Sequence, residues 1–262
     1  MRDSCYVNLK GRPKRGVRRL RLIAALLACC LLAGLLSGCF AEGESERLKA
    51  GKKLMRSYLA ARGGHAHLAE SWVDVLRPAA DRLVCSDFVR GSFADRDGTK
   101  YDFAVNIVSG AVWTSERLPE AQAACVRCAA AELGLDPDAV IGRCTIWTTA
   151  PAWVEEREEW PWETAYIGYV VPTDVADMDA WAEAALADAY VRVDVTLACP
   201  ADELTEDRWS TDDTARWENT EVELFGYEGA APTQEELAGD GWQPAGPAVR
   251  LSPEEVRYEN YA

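Results

Sequence analysis

Between Leu22 and Leu36 lie fifteen residues without a charge, and no other stretch constrains the chain as much. Six basic residues, Arg12, Lys14, Arg15, Arg18, Arg19 and Arg21, precede it. A helix needs about 20 apolar residues to span a bilayer core, so this run is too short for a permanent crossing. A basic flank, a brief apolar core and the small residues Ser37 and Gly38 have instead the layout of a cleaved secretion signal. The leader is long for such a signal, and Val17 rather than Met1 is the expected start. Arg18-Arg19 also fits a twin-arginine export signal, although a pair inside a generally basic flank is slender support for one.

Cys39 follows Gly38 directly. Leu36-Ser37-Gly38-Cys39 resembles the lipobox of the bacterial lipoprotein class: a leucine, a small residue, Gly or Ala, and then Cys. The resemblance covers only the first 39 residues. It implies that the Cys39 thiol takes a diacylglycerol, that the chain is cut before it, and that fatty acyl groups such as palmitate anchor it. Each buried CH₂ contributes about 0.8 kcal/mol, so two chains give stable attachment. The expected location is the extracytoplasmic face of the cell membrane.

Eight of the 28 Lys and Arg and one of the 43 Asp and Glu precede Cys39, leaving 20 against 42 and a net charge of −22. Nucleic acid and anionic headgroups repel such a surface, so no nucleic acid is expected as a partner. The part beyond residue 38 is long enough for one large domain or two small ones. Ten Trp and nine Tyr in the chain argue against a disordered stalk.

The periodicities predict an α+β fold, with antiparallel strands and helices packed on one side. After a signal peptide over 1–38 and a short tether over 39–47, helical spacing runs through Leu48, Met55, Tyr58 and Leu59 to Gly63-Gly64. A second short helix is expected through Leu68, Trp72, Val75 and Leu76. A meander follows: Leu83 to Phe93, a turn at Arg96-Asp97-Gly98, Tyr101 to Val108, and Ala111 to Thr114. This helix-plus-meander unit, 48–117, looks like the small PepSY-like or cystatin-like modules of bacterial surface proteins. The resemblance implies an inhibitor or regulator as one reading.

A second α+β unit is expected over 118–229. Pro119 and Glu120 open a helix that Gly134 closes, with strands from Ala139 to Thr149 and Thr164 to Val171. A helix capped by Asp174 should carry Val175, Met178, Trp181 or Ala182, and Ala185 on one stripe. Strict alternation from Val191 to Cys199 marks the clearest strand. A helix over Ala201 to Trp209 and a strand over Trp217 to Phe225 complete the unit. From Ala230 the Pro and Gly density predicts an irregular C-terminal segment, 230–262.

Five cysteines remain beyond Cys39: Cys85, Cys125, Cys128, Cys144 and Cys199. In an oxidising compartment they allow at most two bridges. Cys125-Val126-Arg127-Cys128 falls in mid-helix, away from the N-terminus that would activate a thiol, so burial or a disulfide among Cys125, Cys128 and Cys144 is expected rather than redox catalysis. His65 and His67, two residues apart, could share a metal, but without further close ligands no metal site is assigned. No cofactor motif is present, and no Gly-x-Ser-x-Gly elbow accompanies the two histidines.

The carboxylate runs Glu155 to Glu159 and Asp202 to Asp207 read as solvated faces, and no catalytic residue is assigned. Asp95-Arg96-Asp97-Gly98 starts like a calcium loop but lacks the later ligands. Trp153, Trp160 and Trp162, close together in a Glu-rich loop, are the expected partner contact. Together these readings favour a membrane-anchored acidic ectodomain that binds or scaffolds an unknown protein or cell-wall ligand. An envelope hydrolase using paired carboxylates is the competing expectation; glycosidases of that kind hold two carboxyls about 5 to 9 Å apart.

Overall fold

The computed structural model describes residues 43–63, 65–77, 85–153, 162–205, 208–239, 244 and 246–259, and leaves the side chains of 150–165 and 259 outside that description. Cys39 and the apolar run before it lie outside the described residues. Among the described residues no helix is long and apolar enough to cross a membrane. The fold is α+β, with residues 43–262 grouped as one unit around two six-stranded sheets.

Helix α1 (Glu44–Ala61) begins earlier than its apolar spacing implied. Residues 44–47 therefore belong to the helix and not to the expected tether. The reason is electrostatic. Glu44 and Glu46 sit in the first turn, where the helix dipole favours negative charge. Glu44 is also buried and paired with Arg77 at 2.8 Å. At the other end Gly63 takes φ 104°, a conformation that suits glycine and stops the helix. Gly51, Met55 and Leu59, spaced by four, form the buried stripe.

That stripe lies on a sheet of β3 (Phe88–Ala94), β4 (Lys100–Asn106) and β5 (Val112–Thr114), the expected meander. Its hairpin closes as read, with Gly98 at φ 88° and its N–H donating to the Asp95 carbonyl at 3.0 Å. Residues 83 and 84, where the first strand was expected to begin, lie outside the described residues.

The second short helix does not form. Its residues make β1 (His67–Leu68) and β2 (Asp74–Val75), both paired with β3, around a three-residue 3₁₀ turn. The Leu76 and Ala69 N–H groups also donate to β3 carbonyls, so the backbone is committed to the sheet. Trp72, 75% exposed, is no part of a buried helical stripe.

The second sheet has six strands, ordered in space with the last in sequence at one edge and an early hairpin at the other. Its members are β6 (Ile141–Trp153), β7 (Trp162–Gly168), β9 (Val191–Pro200), β10 (Thr220–Tyr227), β11 (Ala248–Leu251) and β12 (Val256–Glu259). β9 alternates as read, with Val191, Val193, Val195, Leu197 and Cys199 in the main core. Helices α2 (Leu118–Glu132) and α3 (Met178–Leu186) cover that face.

Three details differ from expectation. First, β9 and β10 are parallel. The segment between them contains only a 3₁₀ turn at Ala201–Glu203 among its described residues, and it buries Trp209 and Trp217 in the core as it crosses over. Second, α3 is capped by Asp177 and not Asp174; the Asp177 carboxylate accepts from the N–H groups of Asp179 and Ala180, each at 3.1 Å. Third, the C-terminal segment is ordered into α4 (Gln234–Ala238), β11 and β12. Thr233 and Glu236 form a capping box for α4, while Ala248, Val249 and Leu251 are buried.

The chain changes sheet after β7. Gly168, at φ 129°, turns it into β8 (Val171–Pro172), which pairs with β5 of the first sheet. Ile167 and Val170 pack with Leu76, Phe88 and Ala104 in a small core between the sheets. The stretch read as a second unit thus supplies an edge strand to the first.

Helix α1 comes close to the sheet at Gly51, where a Cβ would stand 2.6 Å from Val89. Alanine ordinarily favours a helix interior over glycine by about 1 kcal/mol, but overpacking a core costs about 1–3 kcal/mol. Gly51→Ala should therefore lower stability by about 1–2 kcal/mol in urea unfolding; an unchanged or raised midpoint contradicts this contact.

Candidate functional site

Residues 88–106 place Val89 and Phe93 of β3 and Phe103 and Val105 of β4 in the core, the side that α1 covers. Arg90, Ser92 and Asp102 point to the other side of the sheet, where the strand β7 and the turn after it cover only part of the surface. The uncovered part is a cleft of about 390 Å³. Arg90, Ser92 and Asp102 contribute its polar lining, Tyr166 and Tyr169 stand along one wall, and Trp72 joins them.

Its aromatic rings are exposed and ordered by one another. Tyr166 and Tyr169 are 43% and 45% exposed. Their rings meet edge-on with centroids 6.2 Å apart, and Tyr169 meets Trp147 of β6 in the same way at 6.0 Å. Such edge-to-face pairs are favourable by about 0.5–1.5 kcal/mol beyond area burial. The Arg192 guanidinium lies over the Trp147 ring at 5.2 Å, a cation–π contact. Arg192 in turn donates to Asp194 at 3.1 Å and lies 3.5 Å from Glu221. The ladder Tyr166–Tyr169–Trp147–Arg192 is thereby continued by carboxylates. Burial, followed by the neighbouring Tyr169 phenol, raises Tyr166 from 10.0 to about 12, so it remains a neutral donor across physiological pH. The Trp147 indole N–H is buried without an acceptor.

This arrangement can hold a ligand that offers flat apolar faces together with hydroxyl or amide groups. It offers poor acid–base chemistry, because Asp102 is the one carboxylate in the described lining. Several carboxylates outside the cleft lie against arginines: Glu44 is buried against Arg77, Glu116 is paired with Arg62, and Asp194 and Glu221, neighbours across β9 and β10, share Arg192. Among the described residues no three His, Cys, Asp or Glu side chains could hold a metal ion. His65 lines a separate cavity with Arg62, Asp95 and Glu116, and His67 lies in β1.

Of the expected contact residues, Trp153 and Trp162 are paired opposite each other at the far end of the β6–β7 hairpin. Their side chains, and Trp160 altogether, lie outside the described residues. Cys125, Cys128 and Cys144 all carry free thiols. Cys125 of α2 and Cys144 of β6 are both buried, and the neighbouring Cys125 thiol together with burial raises the Cys144 thiol above its ordinary range. Cys128 instead directs its thiol to the Asp179 carbonyl at 3.6 Å.

Sequence reading missed Trp72, Trp147, Tyr166 and Tyr169. One signal was present: in β6 the apolar Trp147 occupies a position alternate to the buried Cys144, Ile146 and Thr148, so its ring had to face outward. No protein family, curated protein or solved structure matches the chain.

Two outcomes follow from the side-chain positions. In alkaline titration Tyr166 should ionise near pH 12, and Tyr169→Phe should bring it part of the way back toward 10. A raised phenol contributes stability that is full below pH 10 and is lost as pH climbs to about 12; an absorbance titration identical in the two proteins contradicts the contact. Mild oxidation with diamide should join Cys125 to Cys144 slowly, because both burial and the partner thiol disfavour the Cys144 thiolate. Peptide mapping that finds Cys128 in the bridge contradicts the pairing.

Proposed function

We propose that this protein is a lipid-anchored extracytoplasmic lipoprotein whose acidic ectodomain binds an envelope partner, a protein or a cell-wall ligand, through the aromatic cleft. One observation carries the binding half of this reading. Trp72, Tyr166 and Tyr169 remain exposed around a single concavity, although the same chain buries Trp209 and Trp217 fully in its core. Aromatic side chains kept at a surface cleft with polar groups among them are what binding sites use.

The anchoring half rests on Leu36-Ser37-Gly38-Cys39. Four residues, 40–43, separate Cys39 from α1. Fully extended they reach about 13–14 Å. The helix start is itself clamped to the sheet: Glu44 pairs with Arg77, and Arg47 bonds the Asp87 carboxylate and, at 3.3 Å, the Ser86 carbonyl. A lipid on Cys39 would thus hold this end of the body near the bilayer. The net charge of −22 beyond residue 38 would keep the remainder off anionic lipid.

The two halves are tested separately. A Cys39→Ala chain should lose both membrane partitioning and the uptake of labelled fatty acid; retention of both removes the lipoprotein reading. A Trp72→Ala, Tyr166→Ala chain should stay folded, giving up about 0.5–1.5 kcal/mol with the Tyr166–Tyr169 ring pair, yet lose roughly thirtyfold or more in affinity for material captured by cross-linking in intact cells, as hot-spot aromatics do. Unchanged capture removes the cleft.

A further inference from the structure

The elements around the aromatic cleft divide its chemistry. Arg90 and Ser92 of β3 and Asp102 of β4 share the outer face of their sheet: Ser92 lies directly opposite Asp102, and Arg90 lies opposite Ala104, two residues along. They form a polar strip. The rings come from elsewhere: Trp72 from the 3₁₀ turn between β1 and β2, Tyr166 from β7, and Tyr169 from the turn after it. A guest must therefore be polar along one side and apolar along another.

The two charges of the strip are uncommitted. Among the described residues neither the Arg90 guanidinium nor the Asp102 carboxylate makes a hydrogen bond or an ion pair. Asp74, opposite Arg90 on β2, turns its carboxylate to the Val75 N–H at 2.8 Å. Glu70, at the start of the turn that carries Trp72, is held by Arg56 and Lys52. After burial and Tyr169, Arg90 and Asp102 weigh on the Tyr166 phenol in opposite senses, so both charges reach the side where the rings stand.

These groups select among guests. Asp102 only accepts hydrogen bonds, Arg90 only donates them, and Ser92 does both. An anion would meet Asp102 with Asp74 close by, and a cation would meet Arg90; covering either charge without a partner is unfavourable. A proline-rich segment suits many aromatic-lined grooves, but proline has no N–H and would leave Asp102 without a donor. A hydroxyl both donates and accepts. A neutral ligand with several hydroxyls thus satisfies all three groups of the strip together.

The rings narrow the choice further. In a pyranose with equatorial hydroxyls, the hydroxyls project around the rim and C–H bonds project from the two faces. Aromatic faces are the negative part of the ring quadrupole, so they attract such C–H groups and shield them from water. The rim is then free to meet Arg90, Ser92 and Asp102. A β-1,4-linked chain repeats this arrangement from ring to ring. The cleft, at about 390 Å³, falls in the range of small-ligand sites, about 300–1,000 Å³.

We infer that the cleft of Trp72, Tyr166 and Tyr169 beside Arg90, Ser92 and Asp102 takes a neutral glycan of β-1,4-linked pyranose rings with equatorial hydroxyls. This ligand class rests on the binding role proposed above for the same cleft.

The full-length chain, in a detergent without a sugar headgroup, is titrated by calorimetry with the β-1,4-linked tetrasaccharides of glucose and of N-acetylglucosamine. At least one should bind with a Kd below about 1 mM. The β-1,4-linked tetrasaccharide of glucuronic acid, which adds a carboxylate to every ring, should bind about tenfold more weakly. Asp102→Asn, which keeps the shape and removes the charge, should weaken the neutral sugar about tenfold, and the Trp72→Ala, Tyr166→Ala chain should lose it. Three results would each overturn the inference: no binding of either neutral tetrasaccharide at about 1 mM, equal or tighter binding of the glucuronic acid chain, or neutral binding unchanged in the Trp72→Ala, Tyr166→Ala chain. Should Asp102→Asn fail to fold, the neutral and acidic sugars decide the question on the unaltered protein. Absent sugar binding together with lost cross-linking capture in the Trp72→Ala, Tyr166→Ala chain removes the glycan and leaves the cleft; unchanged capture removes the cleft and the glycan with it.

Discussion

Ile167, Val170 and Val171 enter the interior where the chain leaves one sheet for the other, and the form of the molecule depends on that burial. All three are within 2% of full burial, and each such side chain contributes about 1.5–3 kcal/mol on leaving water. The Thr148 hydroxyl fixes the crossing by donating to the Val170 carbonyl at 2.6 Å. Because β7 closes the edge of one sheet and β8 extends the other, the crossing segment becomes a wall over the outer face of β3 and β4. It is too narrow to cover that face. The cleft of Arg90, Asp102 and Tyr166 is the part left over, so the feature that joins the sheets also creates the binding surface.

Electrostatics organise the open face of the second sheet differently. Asp194 and Glu221 are direct neighbours on β9 and β10, with Glu223 two residues further on. Burial raises Asp194 above the ordinary carboxylate range, and the two glutamates add to this, opposed by Arg192. Arg192 serves Asp194 and Glu221, while Arg250 serves Glu223. Exposed pairs of this kind contribute about 0–1 kcal/mol each. Their effect is local: they let an acidic chain place carboxylates side by side in one sheet.

Legibility in the sequence followed the strength of the local signal. β9 could be read because every second residue from Val191 is apolar and one face is wet. α1 and α2 could be read from their stripes and glycine ends. Leu68, Trp72, Val75 and Leu76 misled because four apolar residues at helical spacing can equally flank a kinked edge. What decided between the two was pairing with β3, a partner distant in sequence. The C-terminal strands were hidden for the same reason: Pro and Gly density outweighed the short apolar run Ala248–Leu251, whose pairing with β10 and burial in the core depend on residues distant in sequence. The parallel direction of β9 and β10 has no local signature at all, since it depends on where Trp209 and Trp217 pack. Cys125, Cys128 and Cys144 were legible as a group but not which helix cysteine meets Cys144, and the aromatic cleft joins residues from 72 to 169 and required the fold.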